Sequence, residues 1–364
     1  MTAPAQSPIL VMAGGTGGHV FPALAVAENL RQRGEQVVWL GTRNGIEARV
    51  VPEAGFKIEW LSVQGLRGKG WKTLLMAPFR LFRACWQSQR LLKKIKPKAV
   101  LGMGGFVSGP GGLMAWMMNI PLFLHEQNSV IGLTNRLLSR FARKNYFAFP
   151  EVAASVVRSE CIGNPVRQSL TLIADPEQRL RSRMESPMQV LVIGGSLGAA
   201  SLNRVLPEAL AFIDRAQRPL VKHQCGEKHL QQCLQHYQEH AVEAEVVSFI
   251  DDMEAAYQWA DLIVCRAGAL TISELAAVGL ASILIPFPYA VDNHQFHNAL
   301  YLSEADAAQV IIESELNAEK LALKLRYFQQ NRELLVEMAA NARLLGRADA
   351  TEKLAAGILT EIAS

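Results

Sequence analysis

Two stretches of this chain repeat one grammar. Residues 9–30 read ILVMAGGTGGHVFPALAVAENL, and residues 190–210 read VLVIGGSLGAASLNRVLPEAL. Each is a short apolar run, a glycine turn and an amphipathic helical pattern. That is how a parallel strand hands over to a crossover helix. Such a unit needs a second parallel strand beside it, reached by a right-handed connection, so the available folds narrow to doubly wound α/β architectures.

The remaining sequence supplies the partner strands. In the first half, 36-QVVWLGT-42, 98-KAVLGMGGFVSGP-110 and 121-PLFLHEQN-128 read as strands, with helices from Pro22 and from Gly112. In the second half, 246-VVSFIDDM-253, 261-DLIVCRAGALTISELAAVG-279 and 282-SILIPFP-288 continue the pattern. The expected fold is α/β, with two tandem Rossmann-like doubly wound parallel-sheet domains facing a cleft. Residues 1–165 form the first domain and 166–345 the second, joined near 163-GNPVR-167; the last helix, within 346–364, is expected to pack back on the first. The glycine motifs fall at the carboxyl ends of strands, where open α/β sheets bind ligands.

Charge divides the two halves. Residues 1–165 hold 20 Lys/Arg against 8 Asp/Glu, and residues 166–364 hold 17 against 25. From Trp60 to His125 there are ten basic residues and no acidic one. The first half is therefore prepared for an anionic partner: a diphosphate, phospholipid headgroups or nucleic acid. Nucleic acid is disfavoured because no recognised binding module occurs. The long apolar stretch 101–124 is broken repeatedly by Gly and Pro, so it reads as strand, loop and helix and not as a membrane span. Cys85, Cys161, Cys225, Cys233 and Cys265 show no scaffold spacing and are read as reduced thiols.

The glycine loop Gly14–His19 suits close approach of a phosphate or sugar to a helix N-terminus. It departs from G-x-G-x-x-G because Val20 stands where the third glycine belongs. The second strand ends Leu40-Gly41-Thr42 with no acidic residue for a ribose, which disfavours a nicotinamide cofactor. His19 either caps this loop or accepts a proton from an attacking hydroxyl, since an imidazole titrates near neutrality. Gly194-Gly195-Ser196-Leu197-Gly198 repeats the anion-site geometry with a hydroxyl added. Glu274, early in the next helical pattern, can accept from two vicinal hydroxyls, and Gln295 and Asn298 suit neutral sugar hydroxyls. Cys225, His229, Cys233, His236 and His240 lie near helical spacing, but a polar surface helix explains them better than zinc does.

In order, the string G-x-L-T-x-S-E, P-x-P and D-N-x-Q-x-x-N-A over residues 268–299 resembles the nucleotide-sugar signature of GT-B glycosyltransferases. Together with GGTGGH, 102-GMGGFVSGPGG-112, 124-LHEQN-128, 163-GNPVR-167, GGSLGA and 249-FIDDM-253, it resembles the peptidoglycan N-acetylglucosaminyltransferases of that group over most of the chain. Ala281 stands where those enzymes usually carry Pro. The resemblance implies inverting transfer of GlcNAc from UDP-GlcNAc to the C4 hydroxyl of MurNAc-pentapeptide on undecaprenyl diphosphate. It implies His19 as catalytic base, with Glu126 as second candidate. Donor contacts would be Thr16, Gly17, Gly18, Asn128, Arg167, Ser196, Ile250, Ala269, Leu270, Thr271, Ile272, Ser273, Glu274 and Gln295. Ile250 would meet uracil, Glu274 the ribose and Gln295 the sugar. Gly104 and Gly105 would meet the acceptor. No metal ion or cofactor is expected, as no D-x-D occurs.

Leu75, Phe79, Phe82 and Trp86 recur at helical spacing among Arg80, Arg83 and other basic residues. A basic aromatic helix of this kind suits an anionic membrane surface, and the lipid-linked acceptor of the resemblance favours peripheral attachment to the cytoplasmic face of the membrane. Other cell-wall synthesis proteins are further expected partners. Two competing readings are a 2-epimerase acting on UDP-GlcNAc and a non-catalytic nucleotide-sugar sensor.

Overall fold

A computed structural model describes residues 7–62, 76–195 and 198–364. The chain divides into two compact units, Met1–Arg167 with Ala348–Ser364, and Gln168–Arg347. In the first, strands β1 (Ile9–Met12), β2 (Val37–Gly41), β3 (Lys57–Trp60), β4 (Ala99–Gly102), β5 (Leu122–Glu126), β6 (Lys144–Phe147) and β7 (Ser159–Cys161) form one sheet in the order β3-β2-β1-β4-β5-β6-β7. In the second, β8 (Gln189–Ile193), β9 (Leu220–Gln224), β10 (Glu245–Val247), β11 (Leu262–Cys265), β12 (Ala281–Leu284) and β13 (Ala308–Val310) take the order β10-β9-β8-β11-β12-β13. Neighbouring strands pair in parallel throughout both sheets. This is the doubly wound class expected from the sequence.

Continuous apolar runs are what a parallel sheet covered on both faces requires. All four residues of β1 are buried, and the two faces separate with the pleat. Ile9 and Val11 join a core with Val20, Leu30 and Phe123, whereas Leu10 and Met12 join one with Leu92, Val100 and Leu124. Leu354 and Ile358 of the last helix, Ala350–Ala363, belong to the same core as Ile9, and Arg143 pairs with Glu361.

Two helices begin earlier than their sequence pattern suggests. The helix after β1 spans Gly17–Gln32, because the Thr16 carbonyl already accepts the N–H groups of His19 and Val20. His19 therefore sits within the first helical turn. The helix after β4 spans Ser108–Met117 and so includes glycines read as loop. Strand order reverses between β1 and β4 in one sheet and between β8 and β11 in the other. At such a switch point the connections part to opposite faces and leave a crevice at the strand carboxyl ends.

Candidate active site

In the first unit the loops after β1, β4 and β5 meet at the switch point. Gly105 has a φ of +81°, and a Cβ there would collide with the Gly14 carbonyl. A Cβ on Gly104 would collide with the His19 ring. Both glycines are thus needed to let the β4 loop close against the β1 loop. Thr16 and Gly18 are exposed, Gly17 is half-buried and Asn128 is half-buried.

A buried carboxylate that the sequence reading passed over holds this loop. Glu47 is 0% exposed; its Oε2 accepts the Gly15 N–H at 3.0 Å, and its Oε1 accepts the N–H and hydroxyl of Thr42 at 2.9 and 2.7 Å. The end of β2 thus does have an acidic partner, five residues beyond Thr42, but it grips backbone and not a ribose. The Gly15 N–H, which a phosphate would use, is spent on a carboxylate.

His19 Nδ1 lies 3.0 Å from Gln127 Oε1, and the Gln127 amide nitrogen donates to the Met103 carbonyl at 2.8 Å. Behind them, His125 Nε2 bonds the Gly163 carbonyl at 2.9 Å, and Asn164 donates to the Gln127 carbonyl at 3.0 Å. The HEQN and GNPVR motifs are therefore knitted together. Burial holds the His125 imidazole well below its usual value, at about 4, with the Gly163 bond opposing and the neighbouring His19 adding to the shift.

Glu126, the second base candidate, is buried and heavily engaged. Its Oε1 accepts from the N–H and side-chain amide of Asn128, and its Oε2 from Gly132 N–H at 3.0 Å and Asn135 at 2.9 Å. Four donors engage both oxygens of this carboxylate in organising the 126–135 turn.

In the second unit the described glycine-loop N–H groups meet backbone carbonyls, Gly194 donating to Gln224 at 3.2 Å and Gly198 to Gly195 at 2.9 Å, and the Gln224 side-chain amide donates to the Gly195 carbonyl at 3.2 Å. Ser196 lies outside the described residues. Behind the loop, Asn203 donates to the Cys225 carbonyl, and its Oδ1 is 3.1 Å from His223 Nε2. His223 Nδ1 lies 3.0 Å from the Tyr237 hydroxyl. Burial lowers His223 to about 3 and pushes the Cys233 thiol up to about 12. A thiol so protonated is a poor metal ligand, and among the described residues no group of three His, Cys, Asp or Glu side chains is placed to hold a metal ion.

The string over residues 268–299 folds as one assembly. The helix Ala269–Val278 has Gly268 as its N-cap, a residue with no side chain to cap the first turn. Ile272 is buried in the core, Ser273 bonds the Ala269 carbonyl, and Glu274 is mostly buried and accepts the Tyr257 hydroxyl at 2.9 Å. Gln295 accepts the Phe287 N–H at 2.9 Å, and Asn298 donates to the Ala267 carbonyl at 3.2 Å. Arg266, unremarked in the sequence, bridges Ser201, Glu313 and the Ile285 carbonyl. Ile250 is half-buried in the turn before the helix Met253–Trp259, which Asp252 caps. Arg167 is exposed at the end of the first unit.

The basic aromatic helix spans Ala77–Ile95 and buries Ala84, Ser88 and Leu92, one face at four-residue spacing. Phe79, Phe82 and Trp86 remain 71%, 75% and 48% exposed, and Arg90 stacks on Trp86 at 3.5 Å. Arg80 and Arg83 are exposed beside them; Leu75 lies outside the described residues. Among the described residues no helix is long and apolar enough to cross a membrane.

Residues 9–147 match the glycosyltransferase family 28 N-terminal domain, and residues 189–354 match the glycosyltransferase family 28 C-terminal domain. A protein of Alkalilimnicola ehrlichii named UDP-N-acetylglucosamine--N-acetylmuramyl-(pentapeptide) pyrophosphoryl-undecaprenol N-acetylglucosamine transferase is 51% identical, with 97% of this chain and 99% of the relative covered. A protein of the same name from Methylococcus capsulatus is 51% identical over 97% of this chain and 98% of its own length. The crystal structure of Acinetobacter baumannii MurG superposes with a TM-score of 0.82 at 39% identity, covering 97% of this chain and 99% of that one. The chain belongs to the MurG group of glycosyltransferase family 28. The N-terminal and C-terminal domains of that family fall on the two sheets described above, with each glycine loop at the switch point of its own sheet.

Proposed function

We propose that this glycosyltransferase moves GlcNAc from UDP-GlcNAc to the C4 hydroxyl of undecaprenyl-diphosphate-linked MurNAc-pentapeptide, with inversion at the anomeric carbon. The observation that carries this reading is the near full-length match to transferases of that name, on a chain whose first-turn histidine is held, among the described residues, through Nδ1. In the reaction, the acceptor oxygen bonds to C1 of GlcNAc, the C1–O bond to UDP breaks with its electron pair, and the hydroxyl proton passes to His19. Glu126 is read as the organiser of its turn.

The donor is assigned to the second unit. There the leaving diphosphate meets the glycine-loop backbone, Ser196 and the start of the helix Ala200–Ala211, where N–H groups and the helix dipole favour negative charge. Glu274 accepts the ribose hydroxyls, Ile250 covers uracil, and Gln295 holds the sugar. Thr16, Gly17, Gly18, Asn128 and Arg167 are assigned to the reacting end of the donor, and Gly104 and Gly105 to the acceptor. The exposed Phe79, Phe82 and Trp86, ringed by Arg80 and Arg83, are assigned to peripheral contact with the anionic cytoplasmic membrane face that carries the acceptor.

Incubating the purified protein with UDP-GlcNAc, with and without a lipid-diphosphate MurNAc-pentapeptide, tests the reading. UDP should appear only with the acceptor present. UDP release without it, or donor binding with no turnover, would sink the assignment.

A further inference from the structure

We propose that Gln127 is a positioning residue that sets the tautomer of His19, leaving its Nε2 as the lone pair that takes the acceptor's proton; this rests on the reading of His19 as the base. The Met103 carbonyl only accepts, so the atom of Gln127 at 2.8 Å from it is the amide nitrogen. The other side-chain atom of Gln127, 3.0 Å from His19 Nδ1, is then the oxygen, which only accepts. His19 Nδ1 must therefore carry a hydrogen, and in the neutral imidazole Nε2 is bare. Nε2 meets no other hydrogen-bonding group among the described residues.

A second fixed carbonyl makes the same choice from behind. Gly163 accepts from His125 Nε2, so neutral His125 has its lone pair on Nδ1, 3.3 Å from the Gln127 amide nitrogen. That nitrogen donates one hydrogen to the Met103 carbonyl and turns the other toward His125, whose Nδ1 and carbonyl oxygen lie 3.3 and 3.4 Å away. A flipped amide would face oxygen against the Met103 carbonyl and against the His125 lone pair. Gln127 and His125 are 1% and 0% exposed, so both side chains are shielded from bulk solvent. His125, held near 4 by burial, stays neutral over the working range and keeps this arrangement. The relay carries no charge; its effect is on which nitrogen of His19 is basic and where the ring stands.

Long-range nitrogen–proton NMR correlation on the full chain labelled with 15N-histidine tests this directly, with His19→Ala identifying the signal. At neutral to mildly alkaline pH, His19 Nε2 should resonate as an unprotonated nitrogen and Nδ1 as a protonated one. Gln127→Met should release the Nε2–H form and lower kcat about tenfold or more, with KM for UDP-GlcNAc within about twofold. A wild-type His19 protonated on Nε2, or an unchanged tautomer in Gln127→Met, would overturn the inference. If the tautomer is as expected but His19→Ala turns over at the wild-type rate, the base assignment fails and takes the catalytic part of the inference with it.

Discussion

The two glycine loops are built alike in sequence and are used differently in the fold. After β1, one loop N–H is taken by the buried Glu47 carboxylate and the next turn presents a histidine. After β8, the described loop N–H groups meet only backbone carbonyls, and among the described residues no carboxylate bonds the loop. Behind each lies a buried histidine locked by an amide, Gln127 against His125 and Asn203 against His223. A phosphate placed on the first loop would meet a buried negative charge at the N–H it needs. On the second it would meet a helix start where, among the described residues, no carboxylate competes. In the proposed reading, one strand–turn–helix design serves as a proton-handling loop in the first unit and an anion-receiving loop in the second, and among the described residues the Glu47 carboxylate marks the difference.

Removing the base should have the largest effect. His19→Ala is expected to lower kcat by about 10²–10⁴-fold, read in a UDP-release assay with acceptor present, and Glu126→Gln should fall well short of that if Glu126 only organises its turn.

Next comes the clamp. Glu47→Ala leaves the Gly15 N–H and the two Thr42 donors without their partner, at a cost of about 2–4 kcal/mol to the first unit. Amide hydrogen exchange should show faster opening around residues 9–45 and unchanged protection in the second sheet. Equal loosening of both units would break the comparison.

The paired histidines should make both units acid-sensitive. Each has a folded value below the ordinary 6.5, so the unfolded chain takes the proton first, and stability falls as pH drops from about 6.5 towards 4 for His125 and towards 3 for His223. The loss is on the order of a few kcal/mol for each buried ring. Exchange measured between pH 7 and pH 4 should show protection declining in both β5 and β9; flat protection in either would remove its histidine from the account.

Donor contacts should give a smaller effect. Glu274→Ala is expected to weaken UDP-GlcNAc binding about 10–100-fold, by calorimetry, with little change in melting temperature beyond the loss of the Tyr257 bond. The smallest belongs to the surface helix: Arg80→Ala with Arg83→Ala should reduce binding to anionic vesicles by about 1 kcal/mol per residue, and high salt should erase the difference.

The doubly wound class is legible in the sequence because buried parallel strands force continuous apolar runs, and two such runs ending in glycine turns admit few alternatives. The position of His19 is less so, since a glycine turn that is already helical at Gly17 looks like loop. Glu47 and Gln127 stay silent for a different reason. Glu47 reaches Gly15 across 32 positions, and Gln127 acts on His19 across 108, so local spacing marks neither of these contacts. The HEQN motif draws the eye to its carboxylate, yet the fold spends Glu126 on its own turn and gives the relay to its neighbours. Glu274 is an intermediate case. Its place in an ordered string suggests a role, and only the fold shows it buried beneath Tyr257.

The most direct test of this division is UDP-GlcNAc binding to the His19→Ala protein, measured by calorimetry beside the wild type. If the first loop handles the proton and the second holds the nucleotide, the two dissociation constants should agree within about twofold while turnover is lost. A dissociation constant weakened in step with the loss of turnover would contradict it and place the nucleotide on the first loop.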